Sequence, residues 1–315
     1  MSNTEKRKLS VVVSVYNEEE ALPLYYDAAT IKLAGLGRDY ELLFVNDGST
    51  DGSAAFLRQL AEADACVKVI SFSRNFGHES AMIAGIDHAD GDYIICMDAD
   101  LQHPVECIAG IAEKLDDGYD VVSMVRGKNK DAGAVKNLTS PAFYAVINKI
   151  SDSKMEKNAS DFFGISRRVA EVLKDNYREK IRFLRGYVQN VGFRKTVLMY
   201  DAGNRAAGTS KYTVRKLFRL SFNTIMCFSD APLKLGIYAG IFSIIIGIAM
   251  AVYTIVSWAS VGTPNGYASI IVLICFMFAV LFFILGIMGE YISVLFAEIK
   301  NRPIYIIEEK IGFKE

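Results

Sequence analysis

Between residues 235 and 289 the 315-residue sequence has no aspartate, glutamate, lysine or arginine, although these four make up 23% of the chain. An uncharged run of that length is foreign to the surface helices of a soluble domain, which keep one polar face. It is long enough for two membrane-spanning helices of about 20 residues each. The predicted spans are 233–260 and 267–296, and the turn 261–266 between them carries the helix breakers Gly262, Pro264, Asn265 and Gly266. Residues 1–8 are polar and lack the apolar stretch of a signal peptide, so the first 230 residues are expected not to be exported. The five cysteines, Cys66, Cys96, Cys107, Cys227 and Cys275, show no CxxC spacing, which speaks for reduced thiols and against a zinc site. The net charge is only −1 and the basic clusters crowd around the apolar run, so nucleic acid is not an expected partner.

Basic residues flank the two spans. Lys211, Arg215, Lys216, Arg219 and Lys234 precede them and Lys300, Arg302 and Lys310 follow, while the intervening turn is uncharged. The positive-inside rule then puts both termini in the cytoplasm. Two further segments, 134–150 and 213–228, mix apolar, aromatic and basic residues and are expected to lie at the membrane interface. The predicted organisation is a domain over 1–212, an amphipathic juxtamembrane helix over 213–232, the hairpin of two spans over 233–296, and a cytoplasmic tail over 297–315.

The first 125 residues alternate short apolar runs with helical stretches, the rhythm of an α/β fold with a parallel sheet. Strands are predicted at 9–15, 41–46, 67–71, 93–97 and 120–125, and helices at 18–33, 51–62, 79–88 and 104–115. The strands read as nearly continuous apolar runs, as strands covered on both faces do. In such sheets ligands bind beyond the carboxyl ends of the strands. The residues there are polar and acidic: Tyr16, Asn17 and Glu18 after the first strand, Asn46 and Asp47 after the second, Arg74 and Asn75 after the third, Asp98 and Asp100 after the fourth.

Asp98 and Asp100 are separated by one small residue, so in a turn both carboxylates can face one crevice. Hard oxygen ligands of this kind suit Mg²⁺ or Mn²⁺, which bind through one or two carboxylates plus substrate phosphates. Such an ion would neutralise a diphosphate leaving group. An acidic turn after a strand is by itself weak evidence. Position adds weight, because Glu18 and Asp47 share the crevice and four carboxylates together call for a cation.

SVYNEEEAL, VNDGSTDGS and MDADLQHP, in this order and spacing, resemble the inverting GT-A glycosyltransferases of family 2. RAAGTSKY at 205–212, the two apolar spans and the ending GEYISVLFAEIKNRPIY are similar to the bacterial polyprenyl-phosphate glucosyltransferases and the related dolichyl-phosphate mannose synthases. The resemblance covers nearly the whole chain. It implies a GT-A catalytic domain with a Rossmann-like, mostly parallel sheet, followed by interfacial helices and two transmembrane helices of an inner-membrane enzyme. It also implies inverting transfer of a hexose from a nucleotide-sugar to polyprenyl (undecaprenyl) phosphate, serving cell-envelope glycan modification. UDP-glucose leads as donor, with UDP-N-acetylglucosamine, UDP-galactose and GDP-mannose behind it. Asp47 would contact the nucleoside, with Tyr16, Asn17, Glu18 and Arg74 lining the same pocket. Asp98 would sit near the ribose and diphosphate, Asp100 would be the principal metal ligand, and Gln102 would face the diphosphate or the metal's water shell. His103 carries no implied role and reads as structural or at the surface.

The family's candidate base falls on Asp161, and where relatives often carry arginine two residues later this chain has Phe163. A phosphate acceptor is already largely anionic at neutral pH, with a second pKa of about 6, so Asp161 can serve by orienting. Residues expected to hold the lipid phosphate are Arg126 and Lys128 after the fifth strand, and Arg205, Ser210 and Lys211 from the RAAGTSKY stretch. The basic run Arg178, Lys180, Arg182 and Arg185 reads equally as functional or as a solvated or lipid-facing helix. The resembling enzymes can form tetramers, so a homo-oligomer is among the expected partners beside the lipid bilayer.

Two other functions are disfavoured by the sequence. Processive polysaccharide synthases carry a QxxRW motif, but the single tryptophan here, Trp258, follows Ser257 inside a span. A non-catalytic membrane scaffold for glycan assembly or lipid translocation would have no need of Asp47, Asp98, Asp100 and Asp161 together.

Overall fold

The computed structural model describes residues 7–127, 156, 159–180, 182–201, 231–261 and 266–313. The expected interfacial segment at 134–150 and the juxtamembrane segment at 213–228 lie outside these residues. The chain forms two compact units, Met1–Leu217 with Pro303–Glu315, and Phe218–Arg302.

The first unit is built on an eight-stranded sheet of order β7-β5-β6-β4-β1-β2-β3-β8. The strands are β1 (Leu9–Val15), β2 (Tyr40–Asn46), β3 (Val67–Phe72), β4 (Tyr93–Asp98), β5 (Val121–Arg126), β6 (Ala159–Ser166), β7 (Lys195–Tyr200) and β8 (Ile307–Ile311). The helices of this unit are α1 (Leu22–Ala34), α2 (Ser53–Ala63), α3 (His78–His88), α4 (Cys107–Asp116), α5 (Arg167–Asn176) and α6 (Leu184–Asn190). All seven residues of β1 are buried, which is why an unbroken apolar run marks it. The core gathers Val11, Val13, Tyr25, Leu42, Phe44, Ile95 and Met97.

β1, β2, β3 and β4 run parallel. The chain steps outward from β1 to β2 and β3, then returns to place β4 on the other side of β1, so the direction of winding reverses between β1 and β4. Crevices at such a reversal are where open α/β sheets bind ligands. α3 lies close against β1: a Cβ on Gly85 would come within 2.0 Å of Val12 Cγ1, so only glycine permits this approach.

The five strands read from sequence are present, with ends shifted by a residue or so. The outer half of the sheet departs from a purely parallel pattern. β6 runs antiparallel to both β4 and β5, β7 pairs parallel with β5, and β8 pairs antiparallel with β3. Within the tail expected over 297–315, residues 307–311 form an edge strand of this sheet. Short β-runs far apart in sequence give no local sign that they pair.

The second unit contains α7 (Ala231–Val261) and α8 (Tyr267–Ile299), which pack on each other. Gly236 lets the helices meet near Ile284. At 31 and 33 residues each exceeds the length needed to cross a bilayer core of about 30 Å. Their apolar side chains, Ile237, Tyr253, Phe282 and Ile292 among them, project outward.

Candidate functional site

The carboxyl ends of β1 and β2 carry the two loops whose motifs stood out in the sequence, and a set of hydrogen bonds joins them. Thr50 N–H donates to Asn17 Oδ1 (2.8 Å), Asn17 N–H to Ser49 Oγ (3.0 Å), Glu18 N–H to Ser53 Oγ (3.0 Å) and Gly52 N–H to Glu19 Oε2 (3.0 Å). Asn17 takes φ of 56°, a left-handed conformation that asparagine tolerates better than most residues. Asn17 and the backbone of Glu18 thus fix the loops, a task that sequence reasoning did not assign them.

Asp47 is likewise engaged. Its carboxylate accepts the backbone N–H groups of Phe76 (2.6 Å) and Gly77 (2.9 Å), which tie the β2 end to the loop before α3. Burial nevertheless outweighs these bonds and the charges of His78 and Arg74, and raises the carboxyl above its ordinary value. Gly48, at φ of 66°, brings the loop against the backbone of Arg74 and Asn75; a Cβ there would lie 2.5 Å from the Arg74 carbonyl carbon. Between these loops opens a cleft of about 700 Å³, lined by Tyr16, Gly48, Arg58, Arg74, Asn75 and Glu309 among others. That size suits a nucleotide-scale ligand. Tyr16 is 45% exposed, and the Arg74 guanidinium lies 4.0 Å from the Phe76 ring centroid.

The second half of the site lies where β4 meets β1 and β6. Asp98 ends β4, and because β6 runs antiparallel with Phe163 opposite Cys96, Asp161 comes to the same end of the strands. His78, the first residue of α3, reaches both: its Nδ1 is 3.4 Å from Asp98 Oδ1 and its Nε2 is 4.0 Å from Asp161 Oδ2. The Ser14 hydroxyl donates to Asp98 Oδ1 at 3.0 Å and lies 2.9 Å from His78 Nδ1. With its one hydrogen spent on Asp98, that oxygen accepts from Nδ1–H, which fixes the ring. Burial by itself would raise the Asp98 carboxyl, but His78, His103, the Ser14 hydrogen bond and Arg126 hold it below its ordinary value. Burial likewise lowers His78, but Asp98, Asp161 and Glu79 prevail and leave it raised.

Asp100 Oδ1 accepts the Gln102 N–H at 3.0 Å, and Gln102 Oε1 accepts from Arg126 Nη2 at 3.3 Å. Arg126 also donates from Nε to the Tyr200 hydroxyl (3.0 Å). Asp100, Gln102, Arg126 and Tyr200 are therefore one connected group. His103 is buried, stacks on Phe162 with ring centroids 5.0 Å apart, and accepts the Asp98 N–H at Nδ1 (3.0 Å). It is structural, and burial lowers it. Among the described residues no group of three or more His, Cys, Asp or Glu side chains is arranged to hold a metal ion by itself. Asp98 and Asp100, a pair of hard oxygen donors beside the cleft, fit a divalent ion that takes its remaining ligands from substrate phosphate and water.

Sequence reasoning missed His78 and left Arg185 open. Arg185 Nη2 donates to Asp161 Oδ2 (3.0 Å) and its Nη1 to the Ala159 carbonyl (3.0 Å), so it is neither simply solvated nor lipid-facing. Phe163 is buried in the sheet, and the guanidinium that reaches Asp161 comes from α6. Arg178 pairs with Asp87 (2.9 Å) and Arg182 donates to Ser80 Oγ (3.0 Å). Glu79 accepts the Leu184 N–H (3.3 Å); burial, then the nearby Asp161, pushes its carboxyl up to about 7. Lys128, Arg205, Ser210 and Lys211 lie outside the described residues.

Residues 10–174 match the family described as Glycosyl transferase family 2, and residues 231–295 match the GtrB C-terminal hairpin. The chain is 39% identical over 306 residues to an uncharacterized glycosyltransferase, YkcC, of Bacillus subtilis, covering 97% of this chain and 94% of that protein. It is 39% identical over 303 residues to the SfII prophage-derived bactoprenol glucosyl transferase of Shigella flexneri, covering 96% and 98%. Among solved structures, glucosyl-3-phosphoglycerate synthase of Mycobacterium tuberculosis, in complex with Mn²⁺, UDP and phosphoglyceric acid, aligns with a TM-score of 0.48 at 18% identity, over 70% of this chain and 76% of that one.

Proposed function

Since the chain belongs to glycosyltransferase family 2, we propose that it transfers glucose from UDP-glucose to polyprenyl (undecaprenyl) phosphate at the cytoplasmic face of the membrane, with inversion at the sugar. The observation that carries this reading is the meeting of Asp98, His78, Asp161 and Arg185 beside a nucleotide-sized cleft, in a chain that also holds two helices long and apolar enough to cross a bilayer. The acceptor and the sugar come from the Shigella relative, named a bactoprenol glucosyl transferase.

In this reading the nucleoside enters the cleft between Tyr16, Arg74 and the Gly48 loop, and the diphosphate extends toward Asp98 and Asp100. Asp100 and Asp98 would hold Mg²⁺ or Mn²⁺, which supplies positive charge to the departing nucleoside diphosphate. Gln102 holds the Asp100 turn through its backbone and passes the link to Arg126, whose guanidinium offers charge to phosphate oxygens. A phosphate oxygen is already anionic at neutral pH and needs placement more than deprotonation. Asp161, gripped by Arg185 and approached by His78, is suited to orient the acceptor rather than to strip a proton from it. Arg205, Ser210, Lys211 and Lys128 complete the lipid-phosphate set expected from sequence.

The direct test is transfer of radiolabel from a panel of UDP- and GDP-sugars to undecaprenyl phosphate in detergent, with Mg²⁺, Mn²⁺ or EDTA, for the native chain and Asp100→Asn. A metal-dependent lipid product from UDP-glucose, lost in the variant, is the expected result. A product from another donor would correct the sugar, and none from any donor with folded protein would remove the assigned activity.

A further inference from the structure

The segment that follows the second apolar helix returns to the catalytic sheet and reaches the cleft. Residues Ile307–Ile311 pair antiparallel with β3, and the register breaks between Ser71 and Phe72: Glu309 faces Ser71 and Ile307 faces Phe72. Glu308 is therefore the extra residue of a β-bulge, a device that turns side chains away from the regular pleat. Glu308 and Glu309 both line the cleft, together with Tyr16, Arg58, Arg74 and Asn75.

This strand is firmly attached. Tyr305 stacks on Phe72 with centroids 5.2 Å apart and planes within 9°, and its hydroxyl donates to Asp87 Oδ2 at 2.6 Å. Ser73 N–H donates to the Ile306 carbonyl at 3.1 Å. Gly312 takes φ of 81°, where a Cβ would meet the Val67 carbonyl oxygen at 2.6 Å. Glu309 then receives Arg58 Nη2 at 2.7 Å across the cleft wall, a pair too exposed to add much stability but well placed to fix the position of the guanidinium.

The charge pattern makes this end of the cleft selective. Carboxylates accept hydrogen bonds from ribose hydroxyls and base N–H groups and repel a diphosphate. With Glu309 already paired to Arg58, the carboxylate oxygens of Glu308 and Glu309 offer acceptors suited to nucleoside hydroxyl and N–H groups at the β3–β8 end rather than to phosphate. We propose that β8, through Glu308 and Glu309, forms the nucleoside end of the donor cleft, so that nucleotide affinity depends on a segment placed after the apolar hairpin. The inference rests on the donor-cleft reading above.

The test uses the full chain in detergent and UDP with Mn²⁺ as the probe, read by titration calorimetry, with donor and lipid-phosphate KM measured alongside. The double variant Glu308→Gln/Glu309→Gln keeps the β8 ladder and should weaken UDP binding by about tenfold. Donor KM should rise in step while lipid-phosphate KM and the thermal midpoint stay put. Lys310→Gln, on the same strand but beside Phe313, should leave UDP affinity unchanged. Unaltered UDP affinity in the double variant, or an equal loss in Lys310→Gln, would overturn the proposal. If the native chain binds neither UDP nor GDP, the donor-cleft reading itself falls and takes this inference with it.

Discussion

Replacing Arg185 with alanine tests how the site holds its acceptor-side carboxylate. The guanidinium lies 3.0 Å from Asp161 Oδ2, and each side chain is 26% exposed. At an effective dielectric of about 20 the gross attraction at this distance is about 5 kcal/mol. Desolvation of the pair removes much of that. A fully buried pair costs about 3–5 kcal/mol to break, and an exposed one at most about 1 kcal/mol. For this half-buried pair a loss of about 1–3 kcal/mol is expected, which also includes the hydrogen bond to the Ala159 carbonyl. The thermal midpoint should fall by about 2–4 °C per kcal/mol, given the size of the domain. With Asp161 no longer fixed, kcat for lipid transfer should drop about 10–100-fold, while donor affinity is kept because the cleft is lined by other residues. Asp161→Asn should rescue part of the stability lost in Arg185→Ala, since the neutral amide no longer needs a cation. The assay is single-turnover transfer beside calorimetric unfolding. Native kcat and native midpoint in Arg185→Ala would refute the view that Arg185 acts by holding Asp161 in place.

Three further outcomes are expected. Gly48→Ala forces a Cβ to within 2.5 Å of the Arg74 backbone at φ of 66°, so about 1–3 kcal/mol of strain and a higher donor KM should appear, and an unchanged KM would show that the loop yields freely. Glu79, pushed up to about 7, binds its proton more tightly folded than unfolded, so its contribution is fully present below the ordinary glutamate pKa of 4.5 and is lost as pH rises through about 7. The native chain should therefore lose about 1–3 kcal/mol between about pH 4.5 and 7, relative to Glu79→Gln, in thermal unfolding followed across that range; parallel profiles would contradict this. A reporter fused after Glu315 should score cytoplasmic, in keeping with Lys300, Arg302 and Lys310 after the second span, and an external signal would reverse the topology.

The fully buried run of β1 shows how a parallel strand declares itself locally, since helices on both faces demand apolar residues at every position. The same holds for the uncharged run that becomes α7 and α8, because a bilayer imposes its requirement residue by residue. Asp98, Asp100, Asp47 and Arg74 were legible too, since strand ends in such a sheet are where polar residues gather. What each side chain does there was not legible. Asn17 and Asp47 spend their oxygens on backbone N–H groups of neighbouring loops, and those partners are 33, 29 and 30 residues away. His78 reaches Asp98 and Asp161 only because α3 starts beside the carboxyl end of β1, and Arg185 finds Asp161 only because β6 runs antiparallel. The sequence alone determined which residues must be buried and which could carry charge. The tertiary structure decided which charges meet, and it brought a strand from beyond the apolar helices to pair with β3, because strand pairing depends on edges left open by distant parts of the chain.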